Sequence, residues 1–124
     1  MTRLPHIREI AWREPLAAFA PFAEDDHAFL LDSALHVDRL GRYSFFGSRP
    51  FLVLRSKNGR IRIGDEEREG DPFEALREVL ARYPLETREG FPPLQCGAVG
   101  FFAYDLCHHL ERLRSPRLDD VVQP

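Results

Sequence analysis

Two cysteines, Cys96 and Cys107, are the only thiols in the chain, too few for a disulfide framework, and both are expected to stay reduced. Long apolar runs are missing as well. The longest, "AFLL" and "FLVL", fall far short of the roughly 20 residues that span a bilayer, so no membrane partner is expected. The opening "MTRLPHIREIAW" mixes acids and bases where a signal peptide carries an apolar stretch, which leads to the expectation of a soluble, cytoplasmic protein. Nor is there an excess of positive charge. With 17 basic against 20 acidic residues and a net charge of -3, the sequence offers no electrostatic footprint for nucleic acid. Repeats and low-complexity linkers are absent too, and 124 residues is the length of one domain, expected to run over 1–124.

What is there reads as short strands and a few helices. Residues 6–12, "HIREIAW", alternate in a way that predicts a strand. Glu14-Pro15 followed by "LAAFAPF" predicts a short helix that Pro21 stops, and Glu24-Asp25-Asp26 reads as a solvated loop. "HAFLLDSAL" and "RYSFFGS" each supply a buried strand, and the two are expected to be neighbours. In "FLVLRSKNGRIRI" the Asn58-Gly59 pair between apolar alternations predicts a hairpin with a type I′ turn. "GDEEREGD" is expected to be a surface connection. Asp71-Pro72-Phe73-Glu74 announces a helix over about 72–83, with an Asp N-cap, a first-turn proline and apolar residues on one face. After "FPPL" breaks the chain, "QCGAVGFFAY" predicts a strand, and Asp105 is a candidate cap for a short helix "LCHHLERL". With strands outnumbering helices and a hairpin as the clearest connection, the fold class expected is α+β, an antiparallel β-sheet sandwich with peripheral helices.

Most polar clusters have a plain structural reading. Gly97 and Gly100 precede aromatic residues rather than a helix N-terminus, so they suit close packing and not a phosphate loop. Cys107, His108, His109 and Glu111 lack a second ligand pair elsewhere, and adjacent histidines on a helix point about 100° apart, so a metal site is not expected. Ser33 with Asp32 and His36 lacks the strand-turn-helix elbow of a catalytic serine. Glu66-Glu67 and Asp119-Asp120 sit in polar surroundings and read as solvated charges.

"LLDSA" and "GRYSFFG" are different when taken together. Each alone is an ordinary strand. As neighbours they bring a carboxylate, hydroxyls, a guanidinium and aromatic rings to one place, a set able to bind an amino acid. Asp32 or a backbone carbonyl suits an ammonium, Arg42 or an N–H suits a carboxylate, and Tyr43 and Phe45 suit an aromatic side chain.

The order and spacing of "FLLDSA", "LGRYSFFG", "DPFEALREVL" and "GAVGFFAYDL" with "LERL" resemble the N-terminal domain of the chorismate-amination enzymes, component I of anthranilate synthase and of aminodeoxychorismate synthase. The resemblance covers about residues 10–113. It implies a sandwich of antiparallel sheets with, in many members, a tryptophan site, to which Asp32-Ser33 and Arg42-Tyr43-Ser44 correspond and beside which Phe45 stands. Asp32 occupies a position where many relatives have Glu, which shortens its reach. The resemblance also implies that Mg2+, chorismate and a glutaminase partner subunit (component II) serve a long C-terminal domain of the full-length enzymes, a domain this sequence does not contain.

The brief lead-in "IREIAWREPLAAFAPFA" and the form "FLLDSALH" are closer to aminodeoxychorismate synthase, of para-aminobenzoate and folate biosynthesis, than to anthranilate synthase, of tryptophan biosynthesis. The expectation is therefore an incomplete N-terminal fragment, noncatalytic by itself, with no cofactor and no catalytic residue of its own. Against it stands a freestanding amino-acid-binding or regulatory module.

Overall fold

The computed structural model describes residues 3–35, 37 and 39–111, and the chain divides into two compact units. The first contains the residues through Phe51 together with Leu85–Cys96, and the second contains Leu52–Pro84 and the residues from Gly97 on. Both are mixed helix and antiparallel sheet, so the α+β class holds. Among the described residues no helix is long and apolar enough to cross a membrane.

In the first unit, helix α1 (Pro15–Phe19) begins on its proline and passes into a 3-10 turn, Ala20–Phe22. Pro21 has no N–H to continue the α ladder, so the helix tightens and ends there, as expected. Strands β1 (Phe29–Leu31) and β2 (Phe45–Gly47) pair antiparallel, with Phe29 opposite Gly47, Leu30 opposite Phe46 and Leu31 opposite Phe45. The Phe46 ring packs on Phe19 and Phe22 at centroid distances of 5.8 and 5.7 Å, which seats α1 on one face of the pair. Gly47 is needed where it stands because the Phe29 ring lies over it, 2.7 Å from where a Cβ would be.

The acidic turn does more than meet solvent. Asp25 accepts from the Ser48 hydroxyl at 2.9 Å and pairs with Arg49 Nε at 3.1 Å, and the Arg49 N–H donates to the Asp26 carbonyl at 2.9 Å. These bonds tie the end of β2 to the turn before β1.

The strand expected over 6–12 does not form. Its alternation leaves Ile10 and Trp12 exposed at 73% and 79%, and it has no partner strand among the described residues, so the pattern has no sheet face to bury there.

The second unit is a three-stranded antiparallel sheet, β3 (Leu54–Lys57), β4 (Arg60–Ile63) and β5 (Glu66–Glu69), covered by helix α2 (Pro72–Arg82). Asn58 and Gly59 take φ of 51° and 78°, the left-handed pair that a type I′ turn requires, so the predicted hairpin stands. The expected surface connection is instead β5. Gly64, at φ 57°, and Asp65 make a second two-residue turn, and Arg60 and Arg62 stand opposite Glu69 and Glu67. Opposite charges across the strands supply the pairing that apolar alternation supplies elsewhere.

Ile61, Ile63 and Ala75 form the buried core of this unit, with Leu52, Leu54 and Val79 packed around it. Asp71 caps α2 by accepting from the Phe73 N–H at 2.8 Å, with Pro72 in the first turn, as the sequence announces.

The strand expected over 95–104 does not form, and its residues 97–103 make no ladder. They run past α2, where the Phe102 ring meets Phe73 at 5.6 Å, while Phe101 stays 57% exposed. An apolar run is not a strand without a neighbouring edge to bond. Asp105 lies inside a 3-10 turn, Tyr104–His109, whose N-cap is Ala103, so Asp105 is not the cap. Cys107, His108 and His109 are on that turn, and Glu111 follows it.

Candidate functional site

The candidate residues lie where β1 leaves its sheet and β2 enters it. Through the paired strands the residue numbers of opposite partners keep one register, from Phe29–Gly47 to Leu31–Phe45. Side chains carry that register two steps further. Beyond Leu31–Phe45, the Ser44 hydroxyl donates to Asp32 Oδ1 at 2.7 Å and the Ser33 N–H donates to Ser44 Oγ at 3.0 Å. At the next step the Ser33 hydroxyl donates to the Tyr43 carbonyl at 2.5 Å. Hydroxyls thus replace the ladder where the backbones part, and the two segments stay clasped.

The connecting loop closes at its far end, where Val37 and Leu40 exchange both backbone hydrogen bonds. That bridge is one residue out of the register that the strands and the Ser33–Tyr43 pair keep. The extra residue makes a bulge. Gly41 accommodates it, with φ of 68° and no room for a Cβ against the Leu35 carbonyl.

Strand alternation sorts five of the six predicted residues onto two faces. Asp32 and Ser44 share the side of Leu30 and Phe46, toward α1. Ser33, Tyr43 and Phe45 share the other, where the Tyr43 and Phe45 rings lie 6.1 Å apart. Arg42 spreads its guanidinium over the Tyr43 ring, 5.1 Å from the centroid.

The structure therefore brings all six into one local cluster without aiming all six at one spot. Asp32 and Arg42 are exposed, and Ser33, Tyr43, Ser44 and Phe45 are half-buried. What the sequence did not reveal is this division and the part of Gly41. The glycine in "LGRY" was a signal for the second.

Comparison with known proteins bears on the whole chain. It is 36% identical over 115 residues to anthranilate synthase component 1 of Acetivibrio thermocellus, an alignment covering 89% of this chain and 23% of that protein. It is 34% identical over 132 residues to aminodeoxychorismate synthase component 1 of Bacillus subtilis, covering 93% of this chain and 27% of that one. The chain is homologous to component 1 of these synthases. A third component 1 relative, the anthranilate synthase of Mycobacterium bovis, is 37% identical over 119 residues, covering 89% and 23%.

The chain spans about a quarter of the length of these component 1 relatives. Identities of 34% on one side and 36–37% on the other do not separate the two branches. No family model matches the sequence, and no solved structure matches it. Among the described residues, no group of three or more His, Cys, Asp or Glu side chains is placed to hold a metal ion. His36, Asp119 and Asp120 lie outside the described residues.

Proposed function

We propose that this chain is the N-terminal, noncatalytic part of a component 1 synthase of the aminodeoxychorismate type, and that it provides one wall of a site for tryptophan. The observation that carries this reading is the side-chain clasp between Asp32-Ser33 and Tyr43-Ser44. It holds two polar segments in register past the end of a sheet and presents Ser33, Tyr43 and Phe45 on one face. An aromatic amino acid on that face sets its ring against Tyr43 and Phe45, with its carboxylate toward Arg42. The Ser33 hydroxyl already donates its hydrogen bond to the Tyr43 carbonyl, so its lone pairs remain to accept from a ligand N–H. Asp32 and Ser44 act from the opposite face as positioning residues.

The amination of chorismate then belongs to the remainder of a longer protein, together with Mg2+ and a glutaminase partner that supplies ammonia. The relatives of the anthranilate type motivate a second reading, in which the same wall serves feedback inhibition by tryptophan.

Titration calorimetry with tryptophan, on this chain and on the chain fused to the catalytic part of a component 1 relative, tests the reading. Weak binding by the chain, tighter binding by the fusion, and loss on Ser33→Ala in the fusion are expected. Absence of heat from both proteins sinks the tryptophan site.

A further inference from the structure

The outer face of the three-stranded sheet, the side away from α2, carries an arrangement that its own fold does not need. Ile61 and Ile63 point to α2, so alternation puts Arg60 and Arg62 on the other side, together with their cross-strand partners Lys57 and Arg55. Arg55 stands directly opposite Arg62, and Lys57 directly opposite Arg60. Both outward pairs of the hairpin are thus like-charged, an arrangement that lowers the stability of a sheet.

β5 offers only Glu67 and Glu69 to the same face, which leaves four cations against two anions in a chain whose net charge is -3. Arg60 pairs with Glu67 at 3.5 Å and Arg62 donates to the Gly64 carbonyl at 3.2 Å. Arg55 has no ion pair or hydrogen bond among the described residues. A depression of about 170 Å3, lined by Arg55, Lys57, Arg60, Ile61, Arg62 and Glu67, opens between these side chains.

The geometry points to a docking surface for an extended acidic segment of a partner protein, with acids at alternate positions. Residues on one face of a strand repeat every ~6.6–6.8 Å, and so do alternate side chains of an extended peptide, so successive carboxylates meet the Arg55–Arg62 pair and then the Lys57–Arg60 pair. Arginine favours such contacts through its forked donors. The glutamates of β5 border one side and admit a neutral or basic group there. A nucleic acid suits the face less well. Its phosphates form an unbroken anionic line that Glu67 and Glu69 repel, and none of the six outward side chains of β3, β4 and β5 is an aromatic on which a base stacks.

Fluorescence anisotropy of the full chain with a labelled octapeptide alternating glutamate and threonine tests the proposal, beside a lysine–threonine octapeptide and an oligothymidylate of equal length. Saturable binding of the acidic peptide, weakened by salt and absent for the basic one, is expected. Arg55→Gln combined with Arg62→Gln is expected to reduce affinity about tenfold or more, and Arg55→Gln alone, which removes a like-charge pair without removing a bond, is expected to leave the melting temperature unchanged or higher. Glu67→Gln is expected to strengthen binding. Failure to bind, equal affinity for both peptides, tighter binding of the oligothymidylate, a double variant that binds as before, an Arg55→Gln variant that melts lower, or no gain from Glu67→Gln overturns it.

Discussion

Ser44 and Asp32 stand opposite each other one residue past the last strand pair, joined by a hydroxyl-to-carboxylate hydrogen bond of 2.7 Å, and the same Ser44 oxygen accepts the Ser33 N–H. One small side chain therefore serves two partners on the neighbouring segment. Ser44→Ala removes both bonds and leaves a half-buried N–H without its acceptor. A loss of roughly 1–3 kcal/mol of unfolding free energy is expected, read from urea denaturation, with Ser44→Thr retaining most of it. If Ser44→Ala unfolds at the same urea concentration as the parent, the clasp does not hold the segments.

Gly41 and Gly59 both have positive φ, at 68° and 78°, but their surroundings differ. A Cβ on Gly59 meets nothing within 4 Å, whereas one on Gly41 runs into the Leu35 carbonyl. Asparagine tolerates the left-handed conformation, so Gly59→Asn is expected to be nearly neutral. Gly41→Asn is expected to cost roughly 1–3 kcal/mol, since relieving the backbone angle does not relieve the collision. Thermal melting of the two variants side by side distinguishes strain from crowding; equal melting temperatures refute the crowding at Gly41.

The same contrast shows what the sequence disclosed. Asn58-Gly59 and Asp71-Pro72 are local signals, and each formed the turn and the helix start it announces because neighbouring residues suffice to make them. β1 and β2 were also legible, from Phe29-Leu30-Leu31 and Phe45-Phe46. β5 was missed because "EERE" has no apolar alternation; its pairing rests on arginines of β4 that are visible only once the strands are aligned, although Gly64-Asp65 was an available turn signal. The opposite error occurred at 6–12 and 95–104, where a strand-like pattern found no edge to bond among the described residues. For the candidate site, the neighbourhood of the segments that carry Asp32-Ser33 and Arg42–Phe45 was legible. Its division between two faces was not, because that depends on the register set by Leu31 and Phe45.

Asp71 accepts from the Phe73 N–H at the start of α2, the only side-chain cap that the described helices make. Asp71→Ala is expected to destabilise the chain by about 1 kcal/mol and Asp71→Ser by much less. Guanidinium titrations followed by helical circular dichroism check this; identical midpoints for Asp71→Ala and the parent remove the cap from the account.

The chain alone is expected to yield neither aminodeoxychorismate nor anthranilate from chorismate with Mg2+ and ammonium. Chromatography that resolves the two products checks it. Turnover abolished by a substitution within these 124 residues defeats the assignment of the chemistry to another part of the protein.

The charges of β5 also govern what the second sheet tolerates at its border. Glu66, Glu67, Arg68 and Glu69 are all exposed, so a strand approaching that edge meets three carboxylates in four residues before any backbone bond forms. Repulsion of this kind fades with ionic strength, its range shrinking from about 30 Å at 0.01 M to about 3 Å at 1 M. Salt is thus the variable that makes the border permissive: in dilute buffer the edge guards itself, and in concentrated buffer it becomes an ordinary strand awaiting a neighbour.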